Sequence, residues 1–367
     1  MGKRILISRT DRVGDVVMIT PMIREIRKTY PDAFIATLTQ PATSKILENN
    51  PHLDLIITDD LSKESFWKVL KKIRSEKFDY GLLVFPTERS AYQMFLAGIR
   101  TRIGVGRILY EVITFMKSVS RNNYIPLRHE ADYCMDLARR IGVKTDNYKP
   151  EIHITREERI WTDNFFNSIG AGNDKFRMII HTGSKNSAPN WSEEKYFELI
   201  HEILCNFPSG NFVILLTAFE MTEGFREKIK SLNDGRIIDI SEKIGDLREL
   251  IKVISGVDLM ICSSTGPAHL SDALGIRSIV IHCRRAMNCV KYWGILNGIS
   301  VNLEVTKEYC DANCSTDKKK CNFENGISVK EVIMNINFNV LNEIQRTKKL
   351  HRGHREDTEV TEKNFFS

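Results

Sequence analysis

The sequence predicts an α/β protein made of two domains, each with a parallel sheet covered by helices. Short apolar segments alternate with amphipathic helical segments over roughly residues 4–282, which is the pattern of parallel sheets with helices on both faces. The chain has 367 residues, which exceeds the usual size of a single hydrophobic core. A polar stretch at residues 142–155, which includes Pro150, separates the two halves.

The alternation defines the predicted elements of each half. In the first half we predict strands at residues 4–8, 34–39, 53–58, 80–85 and 102–105, and helices near 16–29, 62–75, 89–98 and 130–141. In the second half we predict strands at residues 177–181, 211–217, 236–239, 259–262 and 278–282, and helices near 193–206, 220–231, 246–254 and 268–274. The predicted domains are residues 1–148 and 149–327, followed by a helix at 328–345 that packs back on the first domain and a charged mobile tail at 346–367.

The first strand ends in a glycine turn that is followed at once by an acid. Gly14 and Asp15 therefore lie at the carboxyl end of a strand, where open α/β sheets build their binding sites. Glycine lets another molecule approach the backbone closely. Asp15 has two interpretations at this point: a carboxylate at the mouth of a cleft, or an ordinary cap of the following helix.

A second segment of the same kind follows the predicted strand at residues 259–262. Hydroxyl groups and a glycine stand there at the start of a helix, in the order Ser264, Thr265, Gly266, Pro267 and, one turn further, His269. A helix N-terminus offers backbone N–H groups and a positive dipole end to an anion. The alternative is a well-capped helix with a packed histidine.

Composition narrows the class of protein. No stretch approaches the roughly 20 apolar residues that span a bilayer, and the N-terminus lacks an apolar signal region, so we expect a soluble, cytoplasmic protein. Eight cysteines are too few for a disulfide scaffold in a chain of this length. Three of the cysteines form a cluster, Cys310, Cys314 and Cys321, which either braces a loop or binds a metal. The first alternative is favoured, because a zinc site would need a fourth ligand.

Positive charge is concentrated in the first half, where residues 1–150 hold 25 Lys and Arg against 17 Asp and Glu. The most basic stretch carries Arg89, Arg100, Arg102, Arg107, Lys117, Arg121 and Arg128 against Glu111 alone. This pattern favours an anionic glycolipid acceptor or the anionic inner face of a membrane, to which the protein would bind peripherally; no nucleic-acid-binding module is present. An ordinary solvated face is the alternative. Within this stretch, the apolar residues 108–116 form either a core helix or an interfacial segment.

Five motifs in order carry a family resemblance. They are Val13-Gly14-Asp15-Val16 with Thr20-Pro21, Tyr30-Pro31-Asp32-Ala33, Arg128-His129-Glu130, His181-Thr182-Gly183-Ser184 with Trp191, and Ser264-Thr265-Gly266-Pro267-Ala268-His269-Leu270. Together they resemble glycosyltransferase family 9, the lipopolysaccharide heptosyltransferases and their relatives, over roughly residues 3–300. The resemblance implies the GT-B fold, in which two Rossmann-like domains with parallel sheets face an interdomain cleft.

The resemblance also implies roles for individual residues. Asp15 matches the catalytic base of the family and lies in its acceptor-side domain. From their place in the glycine turn and in the basic stretch, we assign Arg12, Gly14, Arg100, Arg102 and Arg107 to the acceptor side of the cleft. The donor, a nucleotide-diphosphate sugar, is expected to bind Thr182, Gly183, Ser184, Lys185, Ser264, Thr265, Gly266, Pro267 and His269. No cofactor or metal is expected: an Asp-x-Asp motif is absent, and Asp59-Asp60 lacks that spacing and is expected in a surface turn. Trp191 is either a packing residue or a platform for the donor base.

Two positions depart from the family pattern. Heptosyltransferases commonly carry Asp-Thr-Gly where this chain has Ser264-Thr265-Gly266, and a basic residue just before the tryptophan where this chain has Pro189-Asn190. The expected function is an inverting, metal-independent glycosyltransferase that moves a sugar, by default heptose, to a lipopolysaccharide core or related acceptor. The alternatives are a nucleotide-sugar-binding protein without turnover and a sugar-nucleotide epimerase of the same two-domain form.

Overall fold

The computed structural model describes residues 2–106, 108–185, 188–207, 211–218, 220–314 and 322–336, and its first half contains one six-stranded parallel sheet. The strands are β1 (Arg4–Ser8), β2 (Phe34–Thr39), β3 (Leu55–Thr58), β4 (Tyr80–Leu83), β5 (Thr101–Gly104) and β6 (Lys117–Ser118). Their order across the sheet is β3-β2-β1-β4-β5-β6, so the chain reverses its direction of travel beside β1. Such a reversal creates a crevice at the carboxyl ends of the strands.

A second six-stranded parallel sheet forms from the second half. Its strands are β7 (Phe176–His181), β8 (Phe212–Thr217), β9 (Ile237–Asp239), β10 (Leu259–Ser263), β11 (Ser278–His282) and β12 (Val301–Glu304). Their order is β12-β11-β10-β7-β8-β9, which repeats the topology of the first sheet. The carboxyl ends of β7 and β10 are neighbours, with His181 paired in register with Cys262.

Helices cover both sheets. Those of the first half are α1 (Val13–Val17), α2 (Thr20–Thr29), α3 (Pro41–Ser44), α4 (Lys63–Glu76), α5 (Glu88–Leu96), α6 (Leu109–Ile113) and α7 (Glu130–Arg139). Those of the second half are α8 (Arg156–Ser168), α9 (Glu193–Asn206), α10 (Glu223–Ser231), α11 (Leu247–Ser255), α12 (Gly266–Ala273), α13 (Val290–Trp293), α14 (Lys307–Asn313) and α15 (Val329–Asn335). The two sheets and their helices confirm the predicted α/β class.

The central strands are long apolar runs because both of their faces are covered. Ile5, Leu6 and Ile7 of β1 have no exposed surface, although their side chains alternate between the two faces of the sheet. Strands β7 and β8 are buried at every position for the same reason. This explains why these strands could be predicted with nearly correct bounds.

The helix predicted at residues 16–29 is instead two helices. α1 ends at Val17, and α2 begins at Thr20, with Pro21 in its first turn. Proline suits the first turn of a helix, because an N–H at that position would have no partner within the helix. The Thr20 hydroxyl donates to the Val17 carbonyl at 2.8 Å and links the two helices.

One further expectation about the chain is corrected. The C-terminal helix α15 packs against α9 of the second half rather than against the first domain, and Val329 and Val332 lie in the hydrophobic core of the second sheet. The rest of the predicted helix at residues 337–345 and the tail at 346–367 lie outside the described residues. The linker at residues 142–155 contains no helix or strand, and the predicted domain boundary within it stays a prediction.

The apolar residues 108–116 do not form a core helix. α6 is short, and Leu109 is 73% exposed, Val112 62% and Phe115 77%. The core-helix interpretation is therefore wrong, and the interfacial interpretation stays a prediction. Within the described part of the chain, none of the helices has the length and apolarity needed to cross a membrane.

Candidate active site between the two sheets

A cavity of 430 Å³ opens between the two halves of the protein at the carboxyl ends of β1 and β10. Residues of both halves line it: Asp11, Arg12, Gly14, Asp15 and Phe85 from the first, and Ser264, Thr265, Gly266, His269, Met287, Asn288, Tyr292 and Trp293 from the second. The structure thus brings together the two segments that sequence analysis singled out, although they are 250 residues apart.

Asp15 does not cap a helix. It lies inside the first turn of α1, whose N-cap position is Arg12, and no side chain there makes a capping hydrogen bond. The Arg9 guanidinium, at the start of the loop, instead donates to the Asp15 carboxylate and to Asp11 at 2.9 Å. Arg9 is itself buried, and its hydrogen bonds hold the two carboxylates in place at the cavity wall.

Burial raises the pKa of both carboxyl groups. For Asp15 the loss of hydration outweighs the opposing charge of Arg9, and the charge of nearby Glu130 acts in the same direction as burial. For Asp11 burial raises the pKa to about 7, again against the influence of Arg9. A carboxylate whose pKa lies closer to neutrality is a more effective proton acceptor than an ordinary exposed one.

The same arginine connects the cavity to a contact between the two halves. Arg9 pairs at 2.9 Å with Glu130, the first residue of α7, and Arg121 lies 3.4 Å from the other carboxylate oxygen. Tyr292 of α13 donates its hydroxyl to that oxygen at 2.6 Å. Burial disfavours the charge of Glu130, but the two arginines outweigh it and lower the pKa of its carboxyl group. Glu130 is therefore an ionised, buried acceptor that both halves share.

The N-terminus of α12 faces the cavity without a side-chain cap. Thr265 occupies the N-cap position, but its hydroxyl donates backward to the Ser263 carbonyl at 3.2 Å rather than accepting an N–H of the first turn. By contrast, Ser62 and Thr87 cap α4 and α5 with their hydroxyl oxygens. Pro267 has no N–H and the Ala268 N–H donates to the Thr265 carbonyl at 3.0 Å, so the first turn presents Gly266 and the positive dipole end of α12 to the cavity. A positive dipole end of this kind attracts anions. Of the alternative drawn from the sequence, the side-chain cap is absent, whereas the packed histidine is present.

The two halves meet closely at glycines. A Cβ atom at Gly14 would lie 2.7 Å from Cδ2 of His269, and one at Gly266 would lie 3.0 Å from the Val13 side chain. His269 is buried beside Trp293, with ring centroids 5.1 Å apart. Burial lowers the pKa of His269 to about 3, so its imidazole is neutral and contributes hydrogen-bonding capacity rather than positive charge.

The other predicted donor residues lie beside the cavity rather than on its wall. Thr182, Gly183, Ser184 and Lys185 follow β7, and Pro267 is buried in the first turn of α12. Asn190 ties their loop to the α12 segment: its amide donates to the Thr182 carbonyl at 2.7 Å, and its oxygen accepts from the Ser263 hydroxyl.

Trp191 is a packing residue. Its side chain is buried in the hydrophobic core of the second sheet and packs against Tyr196, with ring centroids 5.7 Å apart. A platform for a donor base needs an exposed ring face, so that alternative is wrong.

The predicted acceptor-side arginines do not form one surface. Arg12 is exposed at the cavity and Arg100 is exposed elsewhere, whereas Arg107 lies outside the described residues. Arg102 is buried and donates to the main-chain carbonyls of Ile99 and Thr114, so it holds the loop around α6 and is unavailable to an acceptor.

Asp59 also differs from its expectation, since it is buried and paired with Arg89 at 2.8 Å instead of lying in a surface turn. Asp60 is its exposed neighbour. Cys310 lies on α14 and Cys314 at its end, and Cys321 lies outside the described residues.

Several cavity residues were missed by sequence reasoning. Asp11 stands one residue before Arg12 and offered the signal of a second acid in the same glycine turn. The segment that follows β11, the neighbour of β10, contributes Met287, Asn288, Tyr292 and Trp293 to the cavity. Its place after that strand is the one sequence signal that pointed to the site. Their segment has no recognisable spacing of chemical groups.

Two parallel-sheet domains of matching topology that face each other across a cavity define the GT-B class of fold. Solved structures support this assignment. A family 9 glycosyl transferase from Veillonella parvula superimposes with a TM-score of 0.75 at 20% identity, and covers 90% of this chain and 95% of its own. ADP-heptose lps heptosyltransferase II from E. coli gives a TM-score of 0.72 at 16% identity, covering 95% and 99%.

The family follows from the sequence match. Residues 66–322 match the family described as Glycosyltransferase family 9 (heptosyltransferase), and the chain belongs to that family. The protein is therefore a glycosyltransferase. The chain is similar to the lipopolysaccharide core heptosyltransferase OpsX of Haemophilus influenzae, with 25% identity over 353 residues that cover 90% of this chain and 95% of the relative.

Proposed function

We propose that the protein transfers a sugar, by default heptose, from a nucleoside-diphosphate sugar to a hydroxyl group of a lipopolysaccharide core acceptor, with inversion at the anomeric carbon. One observation carries the proposal: the half-buried carboxylate of Asp15 and the N-terminus of α12, which has no side-chain cap, line the same cavity. The first can accept a proton, and the second can hold a diphosphate. The names of the similar proteins, a lipopolysaccharide core heptosyltransferase and an ADP-heptose heptosyltransferase, support the choice of substrates.

Asp15 is the proposed base. It removes the proton of the acceptor hydroxyl while that oxygen attacks the anomeric carbon from the side opposite the diphosphate, so one displacement inverts the centre. Arg9 fixes the orientation of the carboxylate, and burial keeps its pKa above the ordinary value. Asp11 is the neighbouring acid, held by the same arginine, and is the alternative base.

The leaving diphosphate is stabilised at the N-terminus of α12. Negative charge grows on the bridging oxygen as the glycosidic bond breaks, and fixed N–H dipoles stabilise it without having to reorient. Gly266 lines the cavity wall at this N-terminus, and its missing Cβ lets Val13 of the first half pack against it. Ser264 lines this wall where heptosyltransferases commonly carry an acid, so we propose that it contributes to the choice of donor sugar.

We propose that no metal ion bridges the diphosphate. Asp11 and Asp15 are the acids on the cavity wall, and Arg9 already occupies both carboxylates. A cation between them would have to displace that guanidinium. Activity is therefore expected to persist without added Mg²⁺ or Mn²⁺.

The test combines binding and turnover. Thermal unfolding is measured with a panel of nucleoside diphosphates and their sugars, because a ligand that binds the native state raises the melting temperature. Asp15→Asn keeps the volume of the side chain and is expected to lower turnover by roughly 100- to 10,000-fold, the range of general acid–base catalysis. Donor binding, which rests mainly on the second half, should change little.

Three results would contradict this assignment. Near-normal turnover of Asp15→Asn would exclude Asp15 as the base, and a selective loss in Asp11→Asn would transfer that role to Asp11. Donor binding without turnover on any acceptor would favour a binding protein instead of an enzyme.

We further propose that α6 docks on an anionic lipid surface that presents the acceptor. Phe95 and Leu96 of α5 extend its exposed apolar surface, and the ring centroids of Phe95 and Phe115 are 6.4 Å apart. Exposed basic residues Arg100 and Lys117 flank it. An apolar face with basic flanks matches the chemistry of an anionic membrane interface.

Vesicle sedimentation tests this docking. Binding to phosphatidylglycerol-containing vesicles should exceed binding to phosphatidylcholine vesicles, and should fall when salt shortens the screening length from about 10 Å at 0.1 M to about 3 Å at 1 M. Phe115→Ser should weaken binding, whereas Ile160→Ser, which removes a similarly exposed apolar residue from α8, should not. Equal effects of the two substitutions would show that α6 is an ordinary exposed segment.

A further inference from the structure

Three potential metal ligands converge outside the cavity, where the linker passes the first sheet. His52 lies in the loop between β2 and β3, and Glu151 and His153 lie in the linker that leads to α8. One ligand atom from each residue lies within 4.8 Å of the other two. No other group of three or more His, Cys, Asp or Glu side chains meets this condition within the described ranges.

The distances between the imidazole nitrogens and the carboxylate oxygen match those between two ligands of one metal ion and are longer than typical hydrogen bonds. Both imidazoles direct Nε2 at the same carboxylate oxygen, Oε1 of Glu151, at 3.3 Å from His52 and 3.4 Å from His153. Hydrogen bonds from N–H to oxygen are usually about 2.9–3.0 Å long. Two ligands at about 2.0–2.2 Å from a tetrahedral zinc ion lie about 3.3–3.5 Å apart, which is the spacing found here.

Neighbouring groups hold the carboxylate in place. Arg24 of α2 donates to the other oxygen of Glu151, Oε2, at 2.8 Å and leaves Oε1 facing the imidazoles. The Glu151 N–H donates to the Thr20 hydroxyl at 3.0 Å. Ligating carboxylates in metal sites are typically oriented by such second hydrogen bonds.

The two histidines are anchored in the same way. The carbonyl of His52 accepts from Arg27 at 3.2 Å, and the carbonyl of His153 accepts from Arg248 of α11 at 2.7 Å. The rings meet edge to face with centroids 6.0 Å apart, so their nitrogens converge without stacking.

We propose that His52, Glu151 and His153 form a zinc site that fastens the interdomain linker to the first domain. Two imidazoles and one carboxylate are a recognised zinc ligand set, and a water molecule would complete the tetrahedron. The ion lies outside the cavity and takes no part in sugar transfer. Its effect is structural: it joins the β2–β3 loop to the segment that connects the two sheets.

Zinc binding to the full-length protein tests the proposal. After treatment with a chelator, Zn²⁺ is titrated against a competing dye, and the melting temperature is measured with and without Zn²⁺. One zinc ion should bind per chain and raise the melting temperature. His52→Asn and His153→Asn should each weaken binding at least tenfold, whereas His201→Asn, which removes an exposed histidine on α9, should leave it unchanged.

Cobalt substitution separates this site from the cysteines. Co²⁺ at two histidines and a carboxylate should give tetrahedral visible bands without a thiolate charge-transfer band. A thiolate band, or tight zinc binding that survives both histidine substitutions, would overturn the proposal in favour of a cysteine site. Absence of stoichiometric zinc binding would also overturn it and leave a hydrogen-bonded cluster. None of these measurements depends on sugar transfer, so they remain informative if the proposed function fails.

Discussion

The hydroxyl of Tyr292 is predicted to hold the two domains together across the cavity. It donates at 2.6 Å to Glu130, which belongs to the opposite half and is buried. A hydrogen bond to a charged group contributes about 1.5–3 kcal/mol. Because this bond exists only when the domains are in contact, Tyr292→Phe should shift the equilibrium toward the open form by roughly 10- to 150-fold, since each 1.4 kcal/mol corresponds to a factor of ten.

Tyr133→Phe is the matched control. Tyr133 is equally buried in the same aromatic cluster, 6.2 Å from Tyr292 between ring centroids. Its hydroxyl bonds within the first half only, to the Pro126 carbonyl and the Arg128 N–H, both at 3.2 Å. This substitution removes the same atom without touching a contact between domains.

Small-angle X-ray scattering and steady-state kinetics measure the outcome. Tyr292→Phe should increase the radius of gyration of the ligand-free protein and lower kcat/KM, while Tyr133→Phe should lower thermal stability without changing the radius. If the two variants have the same scattering and the same kcat/KM, the bond to Glu130 does not control closure.

Two further predictions concern the cavity wall. The pKa of Asp11 is about 7 in the folded protein and near 3.8 in the unfolded chain, so its contribution to the stability of the wild type is lost as pH rises through that interval, and Asp11→Asn lacks this contribution. The variant should therefore gain stability relative to wild type between about pH 4 and pH 7 in thermal unfolding, and a constant difference would disprove the shift. Gly14→Ala places a Cβ 2.7 Å from His269 and should destabilise the protein by about 1–3 kcal/mol, whereas Gly224→Ala, where nothing lies within 4 Å, should not. Equal melting temperatures of these two variants would show that the domains are not closely packed at Gly14.

The parts of the fold that could be predicted are those that local sequence determines. β1, β2, β11 and α9 have the predicted bounds, because an apolar run between polar ends, or a capping serine before a helical pattern, fixes both ends of the element. The edge strands β6 and β12 were missed. β6 has two residues, and β12 is only half buried, so neither leaves a readable apolar pattern.

The site could be predicted only where a motif carries its own chemistry. Asp15 and Gly266 each stand at the end of a buried strand, and their position follows from the topology of open sheets. Tyr292 and Trp293 enter the cavity because the two domains pack together, and their segment carries no pattern that separates it from an ordinary loop. Residues brought in by domain packing are therefore the ones that a motif search misses.

Counting charges failed at Arg102 for a related physical reason. The sequence shows a basic stretch, but it does not show which guanidinium groups are already bound. Arg102 donates to two main-chain carbonyls beneath α6, while Arg100 and Lys117 of the same stretch stay exposed. A buried arginine with partners shapes the loop that carries the exposed apolar surface, whereas only an exposed basic residue is available to an anionic partner. Burial and hydrogen-bond partners, rather than net charge, therefore separate the two kinds of basic residue in this stretch.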